Sequence, residues 1–496
     1  MTTPLPSSTA AAPCCGPAAP TVLRRAAEPV EQATACCGDP TPDAQTGACC
    51  HEPSASCGCR AEAHELADAQ QRGGPLPVAV IGAGPVGLVA AAHLVARGET
   101  PLVLEAGDAA GANIRAWSHV RLFSPWKYVV EPNARAMLEA TGWVMPDGDH
   151  LPTGGELLAQ WVEPLAAHPH LAPHVRLGHR VLTVTRRGYD KVKSSGRDEA
   201  PFELVVQGPD GRVMRLLARA VIDASGTWQT PNPMGASGVF AEGEREASAH
   251  VRYGSPDVLG RDRGRYAGRR VLVVGSGHSA FNALLDLASL AEQVPTTEIV
   301  WAIRRTDPGL MYGGGAKDAL EARGLLGERM RGLVEAGTVR LVAGVRIARL
   351  DLTADGVVVE SDTGTRLAPV DQIIVTTGFR PDLTLTRELR LDLDSWLEAP
   401  RPLAPLVDPN VHSCGTVYPH GAAELAHPER DVYVVGMKSY GRAPTFLLLT
   451  GYEQVRSVVC ALTGDDEGAR RVELVLPETG VCQTDLAGAV AGGCCR

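Results

Sequence analysis

The residues with the most conspicuous chemistry are cysteines, and they stand in pairs at the two ends of the chain. Of 13 cysteines in 496 residues, eight precede residue 60: Cys14–Cys15, Cys36–Cys37, Cys49–Cys50, and the closely spaced Cys57 and Cys59. Three more, Cys482 and the pair Cys494–Cys495, follow residue 480, and only Cys414 and Cys460 lie elsewhere. Neighbouring cysteines are poor disulfide partners, because a ring closed across one peptide bond strains both the amide and the disulfide torsion. As thiolates they can instead pinch one soft ion between two sulfurs. Structural zinc sites use wider spacing held by a fold, so zinc fits less well. The terminal pairs are expected to capture a thiophilic metal or metalloid, with adventitious thiols as the alternative. A secreted disulfide framework would staple the body and not its ends.

Glycines form the second chemical pattern. In LPVAVIGAGPVGLVAAAHLVARG, Gly82, Gly84 and Gly87 fit G-x-G-x-x-G between an apolar strand and a helix. The first makes the turn, the second lets backbone approach a pyrophosphate, and the third lets helix pack on strand. The following strand, PLVLEA, ends at Glu105, whose carboxylate suits ribose hydroxyls. A bare tight turn is the alternative, but strand, helix and acid in register favour the dinucleotide.

The pattern recurs in GRRVLVVGSGHSAFNALLDLA, with Gly275, Gly277 and Ala280 as G-x-G-x-x-A. Its next strand, EIVWAIRR, ends on Arg304 and Arg305 where the first ended on an acid. A carboxylate there would repel a 2′-phosphate, whereas arginine pairs with one through charge-assisted hydrogen bonds. The acidic-ended site therefore suits FAD and the basic-ended site NADPH. Two such sites in one chain predict a two-cofactor oxidoreductase.

The elements that must position these residues follow from composition. Residues 1–73 are rich in Ala, Pro and Cys, with a brief helical hint at AEAHELADAQQ, and are expected to form a mobile arm. Val/Ile-rich strands then alternate with Ala/Leu helices to about residue 460, the mark of α/β architecture with parallel sheets. The expected division is FAD-binding over 74–232 and 371–463, interrupted by an NADPH-binding domain over 233–370, with a Cys-bearing tail over 464–496. The fold class is thus two Rossmann-type domains, the first discontinuous, with disordered Cys-rich ends. A formal charge of −10, with no basic stripe interleaved with aromatics, argues against a nucleic-acid partner. No apolar run reaches a membrane span and the N-terminus lacks a signal-peptide pattern, so a cytoplasmic protein is expected.

On these motifs the sequence resembles the class B flavin monooxygenase-like flavoproteins over roughly residues 76–460. VIDASGTWQTPNPMG, with Ala224, Ser225 and Gly226, is similar to that group's link from the FAD to the NADPH domain, and QIIVTTGFRPDL, with Thr377 and Gly378, to the return link. LPTGGELLAQWVEPLA resembles a segment that the group places near the flavin. The group's F-x-G-x-x-x-H-x-x-x-[WY] fingerprint appears only loosely, with Phe240, Gly243 and His250 off spacing in FAEGEREASAHVRY. RDVYVVGMKSYGRAPTFLLLTGYEQVRSV, DPNVHSCGTVYPHG and the CC-bearing ends resemble flavoprotein monooxygenases encoded with arsenic-resistance genes.

That resemblance implies oxidation of a trivalent arsenical by NADPH and dioxygen, with a flavin hydroperoxide carrying the oxygen transfer. No Ser/His/Asp-type constellation is found, and none is required. Gly436 and Lys438, with Tyr440 and Arg442, follow a strand end and are expected at FAD. Cys414, flanked by His412 and His420, is a candidate substrate ligand or a small buried hydrophobe; Cys460 is expected in the core. Trp117, Phe123 and Trp126 line the pocket or fill the core. The rival is a disulfide or metal-ion reductase, which needs a redox dithiol beside the flavin. From Arg60 through Ser413 there is no cysteine, which leaves only the terminal pairs as an electron relay. A cysteine-rich metalloid-binding protein, with the flavin body as scaffold, is the third possibility.

Overall fold

Runs of four apolar residues, every one buried, mark strands covered on both faces. The computed structural model describes residues 74–312, 321–412, 419–444 and 446–474. Its first turn of structure is β1 (Val78–Ile81), α1 (Pro85–Ala96) and β2 (Pro101–Leu104), followed by the short β3 (Val175–Arg176). An antiparallel meander comes next, β4 (Arg180–Arg186), β5 (Phe202–Gln207) and β6 (Val213–Ala218), and leads into β7 (Ala220–Asp223). The chain then builds β8 (Val251–Tyr253), β9 (Arg270–Val274), α2 (His278–Gln293), β10 (Glu298–Ala302), α3 (Glu321–Glu335) and β11 (Arg340–Val342). A hairpin of β12 (Ile347–Thr353) and β13 (Gly356–Ser361) precedes β14 (Gln372–Val375). Last come β15 (Val432–Val434) and α4 (Leu448–Leu462).

These strands form two parallel sheets, ordered β3-β2-β1-β7-β15 and β11-β10-β9-β14-β8. The first is completed only when β15 returns after the second is finished. In both, a glycine turn leaves the carboxyl end of the central strand and enters a helix, the position where open α/β sheets bind ligands.

Strand alternation distributes the core. Val78 and Val80 face α1, α4 and the buried Trp161, while Ala79 and Ile81 face Phe202, Leu204 and Leu216 of the meander. α1 is apolar almost all round and buried along most of its length, as a helix sandwiched between sheet and α4 must be. Pro85 opens it without cost, since its missing N–H would be unpaired there anyway.

The antiparallel meander and hairpin are absent from the sequence-based expectation of parallel sheets alone. The meander strands mix partly exposed and buried residues along their length, so they lack the continuous buried apolar runs that mark the parallel strands. Among the described residues no helix is long and apolar enough to cross a membrane.

Candidate functional site

Each glycine of the first turn has its own steric reason. Gly82 has φ +101°, and a Cβ there would lie 2.8 Å from the Ala224 carbonyl oxygen and 3.2 Å from Ser225 Cα. A Cβ on Gly87 would stand 2.0 Å from the Gly82 oxygen, so only glycine lets α1 pack this closely on its strand. At Gly84, the N-cap of α1, nothing lies within 4 Å of the Cβ position. Gly84 caps a helix N-terminus, whose first amides have no intrahelical partner, and the first turn holds no acidic residue. A dinucleotide's pyrophosphate fits such a cradle. Glu105, half-buried just past β2, accepts the Ala83 N–H on Oε2 at 2.7 Å and the Gly107 N–H on Oε1 at 2.8 Å. It braces the turn, and a carboxylate keeps further lone pairs for hydroxyl donors.

The second turn repeats this logic. Gly275 has φ +128°, with a Cβ position 2.5 Å from the Thr376 oxygen, and Gly277, the N-cap of α2, has nothing within 4 Å. Ala280 is fully buried where the helix meets the sheet. Trp301 Nε1 donates to the Gly275 carbonyl at 2.7 Å and holds the turn from beneath. Arg304, exposed, and Arg305, half-buried, lie just past β10, the place that Glu105 holds past β2. Arg304 also donates to the Ala236 carbonyl at 3.4 Å. His278 opens α2, and its ring lies 5.3 Å from that of Phe123, which comes from the first module.

Two crossing segments join the modules and pair with each other. Asn232 N–H donates to the Gly378 oxygen at 2.9 Å and Arg380 N–H to the Thr230 oxygen at 3.0 Å. Thr377 Oγ1 donates to the Asn232 oxygen at 2.8 Å, and the Trp228 and Phe379 rings stack at 4.9 Å. Gly226 and Gly378 both have positive φ, +70° and +86°, where a side chain would be strained.

The sequence profile of the pyridine nucleotide-disulphide oxidoreductases matches residues 79–413. The chain belongs to that family. It is accordingly an FAD-dependent oxidoreductase that takes NADPH. Solved structures share the fold. A bacillithiol disulfide reductase from Bacillus cereus is 18% identical, with TM-score 0.58 over 79% of this chain and 100% of its own. A cadaverine monooxygenase of desferrioxamine biosynthesis from Erwinia amylovora is 13% identical, with TM-score 0.57 over 83% and 100%. A flavin monooxygenase from Stenotrophomonas maltophilia is 24% identical, with TM-score 0.51 over 79% and 98%. No curated protein matches the chain.

The remaining candidates of this oxidoreductase divide sharply. Gly436 has φ +68° and its Cβ position lies 3.5 Å from Val86 in the first turn of α1, so the turn after β15 does reach the first cradle. Lys438, expected at the cofactor, is wholly buried: its Nζ donates to Asp223 Oδ2 at 2.7 Å and to Ser225 Oγ at 3.0 Å. Ser225 Oγ in turn donates to Asp223 Oδ1 at 2.6 Å. Asp223 was not among the residues singled out from sequence; its signal is an acid closing the apolar strand AVID. Burial pushes Asp382 up, but the Thr384 hydroxyl and amide, with the Lys438 charge, outweigh this and hold it below its ordinary range. Tyr440 is buried, and burial raises its phenol; Arg442 turns outward to Glu398 at 2.9 and 3.0 Å.

Among the aromatics, Trp126 is core, Trp117 packs against Gly154, and Phe123 reaches the second cradle. The loose fingerprint around Gly243 pairs with β12, where a Cβ would lie 2.1 Å from the Leu350 oxygen; His250 Nδ1 contacts the Asp371 carbonyl at 2.9 Å. His412 and His420 have separate partners, the Pro405 carbonyl at 2.8 Å and Gln454 Nε2 at 2.7 Å. Cys414, the eight N-terminal cysteines, Cys482, Cys494 and Cys495 lie outside the described residues. Among the described residues no cluster of His, Cys, Asp and Glu is arranged to hold a metal. Cys460 is buried, as expected of a core thiol, with Arg97 Nη2 2.8 Å from its sulfur; burial raises its thiol pKa.

Proposed function

We propose that this flavoprotein is a cytoplasmic NADPH-dependent monooxygenase that detoxifies trivalent arsenicals by oxidising them to pentavalent forms. In this reading residues 74–232 and 371–463 bind FAD and residues 233–370 bind NADPH. The observation that carries it is the position of Cys460, the one cysteine among the described residues. It sits by Arg97 at the far end of α1, and a helix of that length keeps it roughly 18 Å from the glycine turn. A reductase with a dithiol built beside its flavin would carry cysteines near that turn, and the sequence from Arg60 through Ser413 has none.

The α1 N-terminus at Gly84 would hold the FAD pyrophosphate and Glu105 its ribose. Gly277 and the α2 N-terminus would hold the NADPH pyrophosphate, with Arg304 and Arg305 on the 2′-phosphate. FAD, when bound, supplies two-electron transfer from NADPH and the reaction with dioxygen. The protein's part is to align the two cofactors across the paired links and to keep water from the reacting centre. The balance is one trivalent arsenical, one dioxygen, one NADPH and one proton giving the pentavalent oxide, NADP⁺ and one water. Thiol pairs at the chain ends would collect the thiophilic substrate and raise its local concentration.

A second reading follows from the family itself, which is named for disulphide reduction. Electrons would then pass to a disulfide presented by the terminal cysteines or by another molecule. Product analysis separates the two. Incubation with NADPH, air and methylarsenite should yield methylarsonate carrying one oxygen from labelled dioxygen; unlabelled product or none, with NADPH still consumed, would favour the reductase.

A further inference from the structure

A lysine with no exposed side-chain surface is rare, and it stays buried only when its charge and donors are satisfied. Lys438 meets that condition through two groups at the carboxyl end of β7: the Asp223 carboxylate, also without exposure, at 2.7 Å and the Ser225 hydroxyl at 3.0 Å. Ser225 is held twice more, by its hydroxyl to Asp223 Oδ1 at 2.6 Å and its amide to the same oxygen at 3.1 Å. The three residues close a small ring, in which Ser225 is held by Lys438 through its hydroxyl and by Asp223 through its hydroxyl and amide.

What that backbone touches gives the ring its meaning. Ser225 Cα and the Ala224 carbonyl are the atoms that a Cβ on Gly82 would strike, so residues 224–225 form one wall of the first cradle. Lys438 is also fixed on the opposite side. Its turn begins at Gly436, which abuts Val86 of α1, and the Gly436 N–H is tied to Gln454 Oε1 at 2.7 Å. One ammonium therefore joins the wall beneath the first glycine to the turn that backs the first helical turn.

We propose that Lys438 is a positioning residue for FAD, which acts through Ser225 to set the shape of the first cradle without touching the cofactor. This requires only that the first cradle takes FAD, and it stands whichever acceptor receives the electrons. A purely structural ion pair would make a different prediction. Replacing a buried pair by apolar residues of similar size is commonly neutral or stabilising, so if the pair served stability alone its removal would leave the cofactor site intact.

The test is the double variant Asp223→Leu/Lys438→Met in the full chain, measured as the melting temperature of the apoprotein and as FAD affinity by quenching of flavin fluorescence. The expected result is a melting temperature at or above that of wild type with a dissociation constant for FAD raised at least tenfold. A stable double variant with wild-type FAD affinity overturns the proposal. Should that variant fold poorly, Ser225→Ala decides the matter, since it keeps the ion pair and removes only the hydroxyl. An FAD dissociation constant raised roughly three- to tenfold at unchanged melting temperature supports the positioning role; unchanged affinity refutes it.

Discussion

Alanine at Gly84 separates the cradle's chemistry from its folding. The backbone there has φ −79° and ψ −179°, which alanine adopts freely, and nothing lies within 4 Å of the new methyl. The folding cost is that of a poorer N-cap, about 1 kcal/mol at most. A phosphate oxygen that bonds the α1 amides must come within about 2.9 Å of them, and a methyl on the N-cap residue narrows that approach. A charged hydrogen bond is worth about 1.5–3 kcal/mol, so losing one weakens FAD roughly ten- to hundredfold. Gly87→Ala is the contrasting case. Its methyl would sit 2.0 Å from the Gly82 oxygen, and forcing such a contact open costs about 1–3 kcal/mol of stability. Apoprotein melting and flavin-fluorescence titration of both variants should show Gly84→Ala stable but FAD-poor, and Gly87→Ala destabilised even without FAD. A Gly84→Ala protein that binds FAD as tightly as wild type would refute the assignment of this turn to the cofactor.

Three other outcomes are expected. Removing the Arg304 and Arg305 guanidinia together should raise the NADPH dissociation constant about ten- to hundredfold and leave NADH nearly unchanged, as read by equilibrium titration; equal losses for both would place the arginines elsewhere. Burial lowers His427 from 6.5 to about 4, with Nδ1 accepting the Asp392 N–H at 3.2 Å. Its neutral form is favoured in the fold, so its contribution is complete above about pH 6.5 and lost as pH falls toward 4, amounting to about 2 kcal/mol by pH 5. His427→Asn should flatten the fall in melting temperature between pH 7 and 5, and an unchanged slope would contradict this. Replacing Cys494 and Cys495 by serine should slow turnover at low arsenical concentration and not at saturation; an unchanged low-substrate rate would end the delivery role of that tail.

Much of the site was legible because local sequence carries it. Glycine spacing between a strand and a helix, and the charge closing the next strand, depend on neighbours within one βα unit, and the close backbone contacts at Gly82 and Gly87 are those of a tight turn and of a helix packed on its strand. The small residues of the two links were legible for the same reason. The Asp223–Lys438 pair was not, because its members stand 215 residues apart and nothing local tells an acid at a strand end from a turn residue. Lys438 drew notice for following a strand, where a ligand contact is the ordinary expectation; only the fold shows that its ammonium bonds Asp223 and Ser225. The antiparallel meander escaped because half-exposed strands such as β6 alternate weakly.

The central claim is tested most directly by following NADPH oxidation by the FAD-loaded enzyme with methylarsenite, in air and under strict anoxia. For an arsenical monooxygenase the arsenical accelerates NADPH consumption in air, matched one-to-one by oxygen uptake, and sustained turnover disappears without oxygen. Equal turnover in both atmospheres would contradict it and assign the electrons to a disulfide or metal-ion acceptor.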